Sequence, residues 1–180
     1  LADVSGKGVG AALLMANLQA SFRSQPREAL GHPAEALRTV NKLFYESTPP
    51  EHFATLFFGH YDDRTRRLTY ANCGHLPPLL ARADGSIERL MPTATVIGVF
   101  KDWRTEERVV DLHPGDTLVL FSDGVTEAGI DHDAEFGEDG LLSLIAKSRG
   151  QSAAVLVDRI VGAVAGDRHD DVTAVALRAR

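Results

Sequence analysis

Thr117-Leu118-Val119-Leu120-Phe121-Ser122-Asp123-Gly124 is the stretch that decides the fold. Its first five residues are almost wholly apolar, without the alternation of a half-exposed strand, so the run predicts a central strand. Pro114-Gly115-Asp116 marks a turn in front of it, and Asp123-Gly124 follows it as a dipeptide common in turns. Two other acidic sites share this setting. Asp3 follows the short apolar start Leu1-Ala2 and precedes the glycine turn Ser5-Gly6-Lys7-Gly8, and Asp170-Asp171 immediately precedes Val172 to Leu177, read as the last strand. Each carboxylate is therefore expected at a strand terminus, where a rigid element aims it. Carboxylate oxygens suit hard cations such as Mg²⁺ and Mn²⁺. Taken singly, each site is also an ordinary turn or solvated loop.

Outward from the central strand, the chain divides into helical and strand-rich parts. From Val9 to Arg23, Ala11, Leu14, Met15, Leu18 and Phe22 recur at helical spacing, and the small residues between them predict cover on more than one side. Pro26 ends this helix. Pro33 opens a second, with Leu37, Val40, Leu43 and Phe44 as its buried face and Pro49-Pro50 as its stop. Phe53 to Tyr61 and Leu68 to Cys73 read as an antiparallel pair. Leu79-Leu80 and Ile87 to Leu90 flank Asp84-Gly85 as a hairpin, and Thr105 to Val110 reads as a further strand. Glu138 to Lys147 is helical. Ser152 caps a last helix striped by Ala153, Leu156, Val157, Ile160 and Val164. Strands grouped between helices predict antiparallel sheet packed with helices in one α+β domain spanning residues 1–180.

Bulk properties exclude several functions. A chain of 180 residues with net charge -6 lacks the basic surface that nucleic acid or an anionic membrane selects. No apolar run approaches the length of roughly 20 residues that a membrane span needs, so no membrane insertion is expected. A single cysteine, Cys73, fits a reducing cytoplasmic setting and reads as a small buried apolar residue. Gly6-Lys7-Gly8 lacks the spacing of a nucleotide phosphate loop.

Five blocks then carry a resemblance: Ala-Asp-Val-Ser-Gly-Lys-Gly-Val-Gly-Ala-Ala-Leu-Leu-Met at 2–15, Tyr-Ala-Asn-Cys-Gly-His-Leu-Pro-Pro-Leu-Leu at 70–80, Leu-Val-Leu-Phe-Ser-Asp-Gly-Val-Thr-Glu-Ala at 118–128, Phe-Gly at 136–137 and Asp-Asp-Val-Thr at 170–173. In order and spacing the chain resembles the bacterial SpoIIE-type branch of the metal-dependent PPM protein phosphatases. The resemblance implies an αββα sandwich of two antiparallel sheets flanked by helix pairs. It implies Asp3 as the carboxylate bridging two divalent cations, Mn²⁺ or Mg²⁺, with the Val4 carbonyl on one of them and Asp123 and Asp170 on the other. Asp171 and Gly124 would support those ligands, and Ser5 and Lys7 would meet substrate. The nucleophile would be a water activated by the metals rather than a side chain. The implied substrate is phosphoserine or phosphothreonine on a partner protein, in this branch an anti-sigma-factor antagonist. An upstream sensor or regulator and a homodimer are compatible with that role.

Departures from the pattern set a second reading. The chain begins at Leu1, without Met and directly on a motif, so the N-terminal strands and an upstream acidic motif of the family are expected to be missing. Ser5 stands where many eukaryotic relatives carry a histidine that protonates the leaving group, so no general acid is identified; His169, beside Asp170, reads as exposed. Asn72 and His75 are expected to hydrogen-bond within a turn. The alternative to an active phosphatase is a catalytically weak domain that acts as a partner-binding regulatory module.

Overall fold

In a computed structural model, which describes residues 1–128, 136–165 and 171–180, Ala2–Val4 (β1) lies antiparallel to Ala54–Asp62 (β2), with Asp3 opposite Thr55. Between them come the helices Gly8–Arg23 (α1), Arg27–Leu30 (α2) and Pro33–Ser47 (α3). Arg67–Cys73 (β3) continues from β2 as an antiparallel neighbour, and Arg108–Asp111 (β6) closes the sheet in the order β1-β2-β3-β6. These elements form one compact unit, Leu1–His75 with Met91–Asp111. A second unit, Leu76–Leu90 with Leu112–Arg180, holds Leu79–Ala81 (β4), Ile87–Arg89 (β5), Thr117–Phe121 (β7) and Ala174–Arg178 (β8). Its sheet runs β5-β4-β7-β8, all antiparallel, so the expected central strand β7 is central. Asp123–Thr126 (α4), Gly137–Lys147 (α5) and Ala153–Ala163 (α6) complete that unit. The α+β class with two antiparallel sheets and their helices is as the sequence implied.

In the first unit the period of the strands sorts the side chains. Ala54 and Leu56 of β2, Ala71 and Cys73 of β3 and Val4 of β1 pack with Leu18, Leu37, Val40 and Phe44 of the helices. The opposite face carries Asp3, Thr55, Phe57, Asn72 and Tyr70, with the Phe57 and Tyr70 rings stacked at 5.4 Å. Cys73 is fully buried, and burial pushes its thiol up to about 12, against a smaller pull from a Thr105 hydrogen bond; it is an inert core residue.

Three expectations need correction here. The first helix is not covered on more than one side: Val9 and Leu13 are 79% and 66% exposed. In α3, Leu43 is exposed, while Ala36 and Asn41 are buried. Leu43 falls about 90° from the centre of the Leu37-Val40-Phe44 stripe on a helix of 3.6 residues per turn. Asn41 earns its buried place by bonding the loop opposite, donating to Phe100 O at 3.1 Å and accepting from Gly98 N at 2.9 Å. The strand read at Thr105 to Val110 begins only at Arg108, opposite Tyr70, because further along β3 the Asn72 N and O are taken by Thr93 and Ala94.

In the second unit Leu79, Ala81, Val119 and Phe121 pack against Leu141 and Ile145 of α5 and Leu156 and Ile160 of α6. The Ser152 cap is present, its Oγ accepting from Val155 N at 3.3 Å. The turn before β7 is nailed by a residue read only as a turn former. Asp116 is buried and accepts from His113 N, Ala83 N and Arg82, each at 2.9 Å.

Candidate functional site

One group of candidate residues is built on the edge strand β1. Leu1 and Phe57 exchange main-chain hydrogen bonds at 2.8 and 3.0 Å, and Ser5 N donates to Phe53 O at 2.8 Å. Alternation along an antiparallel ladder then makes Asp3–Thr55 a hydrogen-bonded pair and Val4–Ala54 a non-bonded one. Ala54 confirms the phase, since its N–H and C=O pair with Ile97 on the other side. The Val4 carbonyl consequently points away from β2, to the outer edge of the sheet. The Asp3 side chain is exposed on the face that carries Thr55. One carboxylate and one main-chain oxygen are thus presented by consecutive residues of a single strand.

Ser5 and Lys7 follow directly. Ser5 Oγ accepts from Phe53 N at 2.9 Å, so its hydroxyl closes the end of the β1–β2 ladder. Lys7 is exposed at the N-cap of α1, in extended backbone conformation.

A second group of candidate residues belongs to the second unit, at the end of β7. Asp123 is the first residue of α4, and its Oδ1 accepts from Gly124 N at 2.9 Å. The preceding residue, Ser122, ties this turn to the segment before β8. Its Oγ donates to Asp171 O and accepts from Thr173 N, both at 3.0 Å, and its own N donates to Thr173 O at 3.0 Å. Asp170 and His169 lie outside the described residues; Asp171 is exposed. Among the described residues no three His, Cys, Asp or Glu side chains form a group that could hold a metal ion. The donors that are described are all oxygens, the donor type that hard divalent cations take. A separate pocket of about 250 Å³, lined by Arg82, Arg149 and Arg178 among others, adjoins Thr117 at the far end of β7 from Asp123.

Sequence reasoning missed Ser122 and Thr55. Ser122 sat inside a motif whose aspartate drew attention, and Thr55 carries no motif of its own; only the strand register puts it beside Asp3. His75 was expected to bond within its turn. It does so through its main chain, with N donating to Asn72 Oδ1 at 2.9 Å, but its ring reaches Thr55.

Comparison with known proteins adds to this geometry. A sequence profile described as Stage II sporulation protein E (SpoIIE) matches residues 1–180. The phosphoserine phosphatase RsbU of Bacillus subtilis (strain 168) is 31% identical over 183 residues, covering 99% of this chain and 54% of the relative. The chain therefore spans about half the length of that curated relative. The SiaA-PP2C domain of Pseudomonas aeruginosa superposes with a TM-score of 0.79 at 23% identity, over 98% of this chain and 73% of that one, a likeness of fold. The RsbU and RsbW domains of Rv1364c from Mycobacterium tuberculosis match with a TM-score of 0.77 at 26% identity, over 99% of this chain and 51% of that one.

Proposed function

The chain belongs to the Stage II sporulation protein E (SpoIIE) family, and from that membership we propose that it is a metal-dependent phosphatase domain acting on phosphoserine or phosphothreonine in a partner protein. The relative named a phosphoserine phosphatase supports the reaction class. The observation that carries the reading to particular residues is the Ser122 tie, which joins the turn bearing Asp123 to the residue that follows Asp170.

In this reading Asp3, the Val4 carbonyl, Asp123 and Asp170 would hold a pair of divalent cations, Mn²⁺ or Mg²⁺. When bound, such a pair supplies Lewis-acid polarisation of the phosphoryl group and a water of lowered pKa. The chain's own residues fix where those oxygen donors stand. Gly124 N orients the Asp123 carboxylate, and Asp171 is held through its carbonyl. Lys7, exposed beside the site strand, is suited to a substrate phosphate oxygen. The partner we assign is an anti-sigma-factor antagonist in its phosphorylated form, and the setting we assign is the cytoplasm. Among the described residues no helix is long and apolar enough to cross a membrane.

The test is release of inorganic phosphate from a phosphoserine protein, with and without Mn²⁺. Asp123→Asn is expected to lower kcat/KM by at least about a hundredfold, the scale set by removing a group that stabilises transition-state charge. Wild-type rates in Asp123→Asn would overturn the site assignment. Binding of the phosphoprotein without any release would favour the regulatory-module reading.

A further inference from the structure

His75 is 4% exposed, and its Nδ1 lies 3.0 Å from Thr55 Oγ1. Thr55 stands opposite Asp3 in the β1–β2 register, so the two side chains are neighbours on one face of the sheet. The main chain that carries the imidazole is held by a set of bonds around Asn72. Besides the His75 N to Asn72 Oδ1 bond, Asn72 N donates to Thr93 Oγ1 at 3.1 Å, and Thr93 N and Ala94 N donate to Asn72 O at 2.7 and 3.1 Å. Gly74 makes the approach with φ +69°, and a Cβ there would stand 2.9 Å from Val96 Cγ1. Only glycine fits that bend without moving its neighbours.

We propose that His75 is a positioning residue for Asp3, acting through Thr55. A threonine hydroxyl has one proton and two lone pairs. In the Nδ1–H tautomer, which this role requires, the ring donates to Thr55 Oγ1 and the threonine proton is left for an acceptor on the same face, where Asp3 is the adjacent carboxylate. A hydroxyl set in this way fixes how the carboxylate is presented to a cation, as outer-shell partners do at metal sites. An apolar side chain would fill the same buried space without a polar group that needs partners. The inference rests on the reading of Asp3 as a metal ligand.

The experiment measures Mn²⁺ binding to the whole chain by calorimetry, without substrate, alongside the melting temperature of the metal-free protein. Thr55→Val and His75→Leu remove the bond; Thr55→Ser and His75→Asn keep a group able to make it. Thr55→Val and His75→Leu are expected to weaken Mn²⁺ binding about tenfold, with Thr55→Ser and His75→Asn close to wild type. Wild-type affinity in Thr55→Val overturns the proposal, and that nearly isosteric variant decides the matter if His75→Leu does not fold. Equal losses in His75→Asn and His75→Leu, matched by equal falls in melting temperature, also overturn it. Asp3→Asn separates the two layers: if it binds Mn²⁺ as wild type does, the reading of Asp3 itself fails. If it abolishes binding while Thr55→Val does not, only the role of His75 fails.

Discussion

At Ser122 a single hydroxyl joins two segments that are 49 residues apart in sequence, donating to Asp171 O and accepting from Thr173 N. Removing it leaves an acceptor and a donor beside the candidate metal site without that partner. Ser122→Ala is therefore expected to weaken Mn²⁺ binding about tenfold, while Ser122→Thr, which keeps the hydroxyl, retains most of it; the same calorimetry reads both. Asp116 shows the same economy for stability. Burial pushes its carboxyl up, but His113 N–H, the Arg82 guanidinium and Ala83 N–H outweigh this and hold it below the usual carboxylate range. A carboxyl whose folded pKa is depressed stabilises the fold above its unfolded pKa of about 3.9. That stability disappears as pH falls through the lower folded value. Asp116→Asn should cost about 2–3 kcal/mol at neutral pH and flatten the acid limb of a urea-denaturation series run from pH 7 to 3. Neither residue was legible in the sequence. Asp116 read as part of a Pro-Gly-Asp turn, and its partner Ala83 N lies 33 positions away, where no local pattern points.

Elements with strong periodicity were legible, and elements fixed by a partner were not. The stripe of Leu156 and Ile160 announced α6, and both side chains are buried against β4 and β7. Ile160→Ala should cost about 2–5 kcal/mol, read from the shift of the denaturation midpoint. By contrast α2 has four residues, too few for a stripe, and α4 begins on an Asp-Gly pair that reads as a turn. Asp3 and Asp123 stood out because each was read as following a strand; Asp123 does follow β7, but Asp3 is the middle residue of β1, and the aim of the Val4 carbonyl depends on the phase of hydrogen bonding with β2, which composition does not reveal. The loop packed on α3 is another case. Gly98 has φ +92°, and a Cβ there would lie 2.7 Å from the Phe44 ring. Gly98→Ala should destabilise by about 1–3 kcal/mol, visible in the same midpoint assay.

At the scale of the whole molecule, the proposed metal site would link cation binding to folding, because a site built from residues far apart in sequence is not preformed in the unfolded chain. At free Mn²⁺ about a hundred times its dissociation constant, binding stabilises the folded state by about 2.7 kcal/mol. Chelation by EDTA is expected to lower the melting temperature by several degrees, and Asp3→Asn to melt at one temperature with or without Mn²⁺. Neither sheet is encoded by a continuous stretch: the hairpin of β4 and β5 is completed before residues 91–111 finish the first sheet, yet its partner β7 comes later still. During synthesis every nascent chain therefore passes through a stage at which Leu79 and Leu80, fully buried at the end, have no strand to join. A stop codon between Asp111 and Thr117 would leave the first unit whole and interrupted by that bare hairpin, an apolar insertion of the sort that aggregates or is removed by cellular quality control.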